Sequence, residues 1–146
     1  MRYLHTMVRI SNIEDSLRFF CDGLKMKVVR RSDYEKGRFT LIFLATSVDA
    51  PDYGKKNIPL LELTYNWDPE IYDGGRNFGH LAFGVDNIYD TCEHLQKIGV
   101  SILRPPKDGY MAFIKSPDGI SVELLQTGDR LSPQEPWQSM ASTGTW

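Results

Sequence analysis

The chain has 146 residues, of which 41% are hydrophobic and 25% charged, and its formal net charge is −2. This balance is typical of one compact soluble domain or of two small similar halves, and it lacks the basic excess that would favour nucleic acid or anionic lipid. We expect neither a bilayer-spanning segment nor a secretory signal, because the sequence has no apolar run of the length that either needs. The only cysteines, Cys21 and Cys92, provide neither a CxxC pair nor a cysteine-rich zinc site. We therefore expect a cytoplasmic protein that binds neither nucleic acid nor membrane.

The first half of the chain predicts a strand, a helix and three further strands. The first strand covers about Tyr3 to Ile10, and Ser11 to Glu14 have the spacing of a capping box. Gly23 ends the helix, whose apolar residues recur at helical spacing: Ile13, Leu17, Phe20 and Cys21. The remaining strand patterns are Met26 to Arg31, Phe39 to Ala45 and Ile58 to Tyr65, with a turn-rich loop from Asp49 to Asn57. The order is therefore βαβββ.

The second half repeats this order in fewer residues. A strand from Phe78 to Val85 precedes a helix that carries Ile88, Cys92 and Leu95, and Gly99 ends that helix. Three strands are then predicted near Val100, Tyr110 and Ile120. We expect an α+β fold of two βαβββ units, at 1–70 and 71–126. Residues 127–146 form a tail that is either disordered or docked through Trp137 and Trp146.

A constant offset relates the two halves. His5, Asn12, Ile13 and Asp15 recur as His80, Asn87, Ile88 and Asp90, each 75 positions later. Cys92 falls 75 positions after Leu17, which predicts a small buried hydrophobe in place of a reactive thiol. The sequence is therefore a duplication of one structural unit.

Four candidate metal ligands lie at matched points of this duplication: His5, Glu62, His80 and Glu123. Both glutamates occur in largely apolar strands, where an ionised carboxylate needs a cationic partner. Two imidazoles and two carboxylates suit nickel, cobalt, iron, manganese or zinc. A six-coordinate ion would keep two adjacent positions open for vicinal oxygens of a substrate. This arrangement favours enediolate chemistry.

Three polar residues follow or precede the candidate ligands by four positions in the strands. Arg9 is four after His5, Asn66 four after Glu62, and Arg76 four before His80. An even spacing keeps each on the same face as its ligand, about 13 Å away at roughly 3.3 Å per residue. Arginine can hold a carboxylate bidentately. These residues are candidates for binding a tripeptide that extends away from the metal.

These motifs resemble the lactoylglutathione lyase family of the vicinal oxygen chelate superfamily. The resemblance covers about residues 2–126 and rests on the paired units, on the segment from Glu62 to Trp67 and on the segment from Ser116 to Glu123. It implies a homodimer with a barrel-like sheet completed across the interface. His5 and Glu62 of one chain would there join His80 and Glu123 of the other around one divalent metal per site.

The resemblance also implies a reaction that detoxifies methylglyoxal. The substrate would be the hemithioacetal of methylglyoxal and glutathione, isomerised through a metal-bound enediolate to S-lactoylglutathione. Glu123 would be the catalytic base, and Glu62 either the opposite proton relay or only a ligand. Arg104 falls where the family places a cation for a substrate carboxylate. The identity of the first ligand, His5, and the short spacer between Glu62 and His80 resemble the compact bacterial members of the family, which implies nickel, with cobalt and zinc as alternatives.

Other functions on the same fold are less consistent with these residues. A ring-cleaving dioxygenase needs iron with two His and one carboxylate, and Glu62 is then superfluous. A thioester epimerase is chemically closer, but the segment from Leu63 to Trp67 and the arginines favour glutathione. A non-catalytic ligand-binding module has no need of four metal donors.

Overall fold

The computed structural model describes residues 1–75 and 77–146, and it confirms an α+β fold. Arg76, one of the candidate substrate contacts, lies outside the described residues. The chain divides into two compact units, Met1–Asp73 and Gly74–Trp146. In the described part of the chain, no helix has the length and apolar character needed to cross a membrane.

The first unit is a four-stranded mixed sheet with one helical segment. Its strands are β1 (His5–Ile10), β2 (Lys27–Tyr34), β3 (Phe39–Ala45) and β4 (Leu60–Asn66). Their order in the sheet is β1-β4-β3-β2, in which β1 and β4 are parallel and the other pairs antiparallel. Helix α1 (Ile13–Leu17) continues as a π-helix over Arg18–Gly23. The predicted βαβββ order of this unit is confirmed.

The second unit has the same order with one strand reduced. Its sheet contains β5 (His80–Val85), β7 (Ser121–Gln126) and β6 (Met111–Lys115) in that order, with β5 and β7 parallel. Helix α2 (Ile88–Lys97) follows β5. The prediction of a full strand near Val100 is wrong, because only an antiparallel bridge between Arg104 and Phe113 remains. Pro105 and Pro106 follow directly, and proline has no N–H with which to continue the pairing.

Both helices begin at an asparagine that belongs to the repeat. Asn12 accepts a hydrogen bond from the backbone N–H of Asp15, and Asn87 accepts from those of Tyr89 and Asp90. The predicted capping box with Ser11 as the cap is therefore one residue too early. An asparagine oxygen satisfies the free N–H groups of a first turn as a serine would.

Each sheet buries one face in an apolar core and leaves parts of the other face exposed. Val8, Leu63 and Ile42 lie opposite one another on neighbouring strands of the first unit and are buried. Helix α2 buries Cys92 completely, as the repeat predicts. The other face carries His5 and Met7, whose residues keep substantial exposure. The side chains that alternate with the core therefore remain accessible for chemistry.

Residues 127–146 pack against the second unit. Trp137 is buried, and the backbone N–H groups of Leu131 and Thr143 donate to the carbonyl groups of Gly109 and Leu103. A Cβ atom on Gly109 would lie 2.0 Å from the carbonyl oxygen of Leu131, and the φ of Gly109 is +66°. Only glycine fits this close approach at a positive φ. Of the two alternatives for the tail, docking is the one observed.

Candidate metal centre

The first unit brings His5 and Glu62 together. His5 begins β1 and Glu62 lies near the start of β4, two strands that run side by side in parallel. The His5 Nε2 atom is 3.0 Å from Glu62 Oε2. Their side chains are 40% and 12% exposed, so the carboxylate is largely withdrawn from water while the imidazole edge faces outward. An enclosed carboxylate beside an accessible imidazole can receive a ligand from one open side.

The second unit repeats this pair with His80 and Glu123. His80 begins β5 and Glu123 lies on the parallel strand β7. The His80 Nε2 atom is 3.2 Å from Glu123 Oε2, and the side chains are 42% and 16% exposed. The two units therefore present the same donor atoms at similar separation and exposure.

A row of three side chains supports each pair, and the sequence reasoning missed most of it. In the first unit Glu62 lies directly opposite Phe43, and Phe43 lies opposite Arg30. In the second unit the same row is Glu123, Phe113 and Arg104. Each phenylalanine meets its histidine edge to face, with centroid separations of 5.8 and 5.4 Å. The strand register, which cannot be read from spacing alone, creates these rows.

The outer face of the phenylalanine differs between the units. The Arg30 guanidinium lies 3.9 Å from the centroid of the Phe43 ring, which is a cation–π contact. Phe113 instead stacks on Trp146, with centroids 5.8 Å apart and ring planes 26° from parallel. The tail therefore reaches the neighbourhood of His80. A comparison of the segments ending at Arg30 and Arg104 could have indicated the repeated arginine.

The donor set has the chemistry of a transition-metal site. Imidazole nitrogen and carboxylate oxygen are suited to the divalent ions of the first transition row. Across residues 1–75 and 77–146, no group of three or more His, Cys, Asp or Glu side chains gathers as a candidate site. Each His–Glu pair offers two donors. A site with four donors therefore requires the pair of the first unit together with the pair of the second.

The candidate substrate contacts of the first unit lie at the C-terminal ends of β1 and β4. The Asn66 amide donates to Tyr72 Oη at 3.2 Å and to Glu70 Oε2 at 2.8 Å. The pKa of Tyr72 is raised mainly by burial and also by Glu70, while Asn66 and the charge of Arg9 oppose the rise. Tyr72 therefore lies beside Asn66 and within the field of the Arg9 charge, and sequence spacing gave no signal for it.

Arg104 of the second unit is held by its own loop. Its Nη1 donates to the carbonyl group of Met111 at 2.6 Å, and its Nη2 lies 3.8 Å from Asp108. Partial burial acts to raise the pKa of Asp108, but backbone N–H groups of Tyr110 and Met111 and the charge of Arg104 hold that pKa below its usual value. Arg104 is therefore a fixed cation in the same row as Glu123.

Neither cysteine belongs to the candidate metal centre. Burial raises the pKa of the Cys92 thiol to about 12, so the reactive thiolate is scarce near neutral pH. Burial, assisted by Asp22, also raises the pKa of Cys21.

Comparison with known proteins gives a consistent family. Residues 2–124 match the family model described as the Glyoxalase/Bleomycin resistance protein/Dioxygenase superfamily. A probable lactoylglutathione lyase of Synechocystis is 41% identical, covering 89% of this chain and 98% of its own. A lactoylglutathione lyase of Neisseria meningitidis serogroup A is 44% identical, covering 86% and 91%.

A solved structure extends the similarity to three dimensions. The trypanothione-dependent glyoxalase I of Leishmania major is 35% identical, with a TM-score of 0.76 and coverage of 86% of both chains. Glyoxalase I of Zea mays is 29% identical with a TM-score of 0.77, and the match covers 90% of this chain and 47% of the maize chain. The likeness therefore extends over nearly the same residues as the duplicated pattern.

Proposed function

The chain belongs to the Glyoxalase/Bleomycin resistance protein/Dioxygenase superfamily, and from this premise we propose that it is a lactoylglutathione lyase. Its substrate is the hemithioacetal that methylglyoxal forms with glutathione, and its product is S-lactoylglutathione. One observation carries the proposal: each unit presents a histidine Nε2 beside a glutamate Oε2, at 3.0 Å in the first and 3.2 Å in the second. Dedicated lyases with this name are 35–44% identical over most of the chain.

The two pairs together would hold one divalent metal per site. His5, Glu62, His80 and Glu123 supply two nitrogen and two oxygen donors, which nickel accepts and which cobalt and zinc also accept. We propose nickel as the bound metal. When bound, the ion acts as a Lewis acid that stabilises negative charge on the oxygens of the substrate.

The protein side chains move one proton between neighbouring carbons. Glu123 removes the proton from the carbon that bears sulfur, which leaves an enediolate, and protonation of the adjacent carbon gives the thioester product. The reaction is an internal redox isomerisation, so it consumes no external oxidant or reductant. Glu123 is only 16% exposed, which keeps bulk water from competing for the abstracted proton. Glu62 is the opposite-face relay or a ligand alone.

The thiol carrier would extend from the metal towards Arg9, Asn66, Arg76 and Arg104. Asn66 already carries a hydrogen-bonded neighbour in Tyr72, and Arg104 is oriented by Met111 and Asp108. Guanidinium groups suit the two carboxylates of glutathione because each can bind a carboxylate through two N–H groups. The cytoplasmic location stays a prediction.

A homodimer would bring the two kinds of pair together. In that arrangement His5 and Glu62 of one chain face His80 and Glu123 of its partner, and a barrel-like sheet closes across the interface. The exposure of Met7, at 40%, on the face that also carries Glu62 supports a further covering layer over that face of the first sheet.

Activity with defined metals tests the proposal. Purified protein loaded with nickel should convert the hemithioacetal to thioester, followed by ultraviolet absorbance, and Glu123→Gln should lower kcat by about a hundredfold or more because the base is lost. Glu93→Gln, an exposed helix position paired with Lys97, serves as the control and should retain full activity. Metal content measured on both variants separates loss of the base from loss of the ion. Failure of nickel, cobalt and zinc alike to support turnover would overturn the assignment.

A further inference from the structure

A cavity of about 590 Å³ opens beside the first metal-ligand pair, and apart from His5 none of its lining residues has a role in the proposed reaction. Its wall includes His5 and Phe43, so it adjoins the row that supports Glu62. Another part of the wall is the turn-rich loop between β3 and β4, represented by Tyr53. The shorter second half of the sequence has no such loop. The loop part of this wall therefore has no counterpart in the second unit.

Basic side chains dominate the charge of this cavity. Its wall includes Arg2, Arg30, Lys55 and Lys56, and among the described residues no acidic side chain lines it. Within the described residues, no carboxylate lies within 4.0 Å of the guanidinium group of Arg2 or of Arg30, whereas Lys56 is paired with Asp52 at 2.8 Å. Two guanidinium groups therefore remain available for an anion.

The cations are held in place by the surrounding structure. Arg30 lies over the Phe43 ring at 3.9 Å, which holds its guanidinium against the ring that His5 also contacts. The backbone N–H groups of Lys55 and Lys56 both donate to the carbonyl group of Asp52, and the Lys55 ammonium donates to that of Pro51. A cation with a fixed stem loses less side-chain entropy when it binds an anion.

The cavity lies at the opposite end of the strands from the candidate glutathione contacts. Strands β1 and β4 are parallel, so Arg9 and Asn66 lie towards their C-terminal ends. Arg2 and Leu60 lie at the other end, where the N–H of Leu60 donates to the carbonyl group of Leu4. A substrate whose thiol carrier extends towards Arg9 would direct its aldehyde-derived end towards the cavity.

We propose, on the basis of the proposed lyase function, that this cavity binds a carboxylate on the aldehyde-derived end of the substrate. The substrate class is then the glutathione hemithioacetals of α-oxoaldehydes that carry a carboxylate a few carbons beyond the carbonyl groups. Guanidinium forks bind planar carboxylates through paired hydrogen bonds, and the ammonium of Lys55 adds attraction at longer range. Methylglyoxal, which has no charge, leaves these contacts unused.

Kinetics with matched aldehydes test the proposal in the nickel-loaded protein. Three glutathione hemithioacetals are compared in wild type and in Arg2→Gln/Lys55→Gln. Their aldehydes are methylglyoxal, the dioxopentanoate that has an α-oxoaldehyde at one end and a carboxylate at the other, and the methyl ester of that dioxopentanoate. We expect kcat/KM for the carboxylate to exceed that for its ester by about tenfold in wild type, and this preference to disappear in the variant. The control Arg31→Gln/Lys36→Gln also removes two positive charges, one from β2 and one from the turn that follows it. Both positions lie outside the cavity, so this control should keep the preference.

A binding measurement separates this proposal from the lyase assignment. Calorimetry should give tighter binding of S-(carboxybutyl)glutathione than of S-pentylglutathione to wild type, by about tenfold, and equal binding to the cavity variant. This result without any turnover would overturn the lyase assignment and leave the carboxylate site standing. Equal binding of both ligands to wild type would refute the site. An equal loss of methylglyoxal turnover in the cavity variant would also refute it, because the cations would then serve the thiol carrier.

Discussion

Asp108 lies near Arg104, and the fold stabilises the ionised form of its carboxyl group. Its side chain accepts hydrogen bonds from the N–H groups of Tyr110 and Met111, at 3.1 and 3.3 Å, and lies near the guanidinium groups of Arg104 and Arg130. These contacts favour the ionised form more strongly than burial disfavours it, so the folded pKa is lowered. The charge of Asp108 therefore stabilises the folded protein.

The pH dependence of stability gives a prediction for this residue. Because the folded pKa is lowered, the stabilisation is present above the pKa of the unfolded chain and is lost as the pH falls through the folded pKa. Asp108→Asn should lower the free energy of unfolding by about 1 kcal/mol at neutral pH, a modest value because the side chain is one-third exposed. Urea titration should show the difference shrinking below about pH 4. The exposed Asp129→Asn is the control, and a pH-independent difference would contradict the mechanism.

The candidate ligands could be selected from sequence, but the residues that support them could not. His5, Glu62, His80 and Glu123 are polar residues at repeated points of apolar strands, and the structure joins them as His5 with Glu62 and His80 with Glu123. Phe43, Phe113 and Tyr72 are apolar or aromatic residues that any core would accept. Their position beside the ligands depends on strand register and loop path, which a single sequence does not encode visibly.

At the scale of secondary-structure elements, a single capping residue stands at the start of each helix. The repeat carries an asparagine at the start of each helix, and these asparagines cap the first turns of α1 and α2. The spacing rule for capping boxes indicated Ser11 instead, since it weighs residue type at fixed separation without the backbone φ and ψ that define the cap. The reduced second strand of the second unit, predicted near Val100, also depends on local backbone chemistry, because Pro105 and Pro106 cannot donate the hydrogen bonds that would continue its pairing.

Helix α2 offers a test of capping at this scale. Asn87→Ala removes the acceptor for two backbone N–H groups and should lower the free energy of unfolding by about 1 kcal/mol in urea titration. Asn87→Asp should retain most of the stability, since a carboxylate accepts the same hydrogen bonds and interacts favourably with the N-terminal end of the helix dipole. Equal losses in the two variants would show that the asparagine acts through something other than capping.

At the scale of the whole molecule, the two units divide the candidate metal ligands between them. Each contributes one histidine and one glutamate, and each leaves its ligand face partly exposed. The sequence predicted this division because the duplication is visible in the offset of 75 between His5 and His80. Whether units of two different chains pair depends on the surface of each unit, and no sequence pattern identifies what binds to that surface. The proposed homodimer therefore needs its own test.

Mixed dimers provide that test. One chain carries His5→Ala with Glu62→Gln, and the other carries His80→Ala with Glu123→Gln. Every site has a damaged pair in either pure dimer, so both should be inactive. If each site combines the first unit of one chain with the second unit of its partner, a mixed dimer contains one site with four intact ligands and one with none. Co-expressed chains with different affinity tags should then recover about half of the wild-type activity per dimer and half of its metal. Sites built within single chains predict no recovery, because each chain would retain only one of its two pairs.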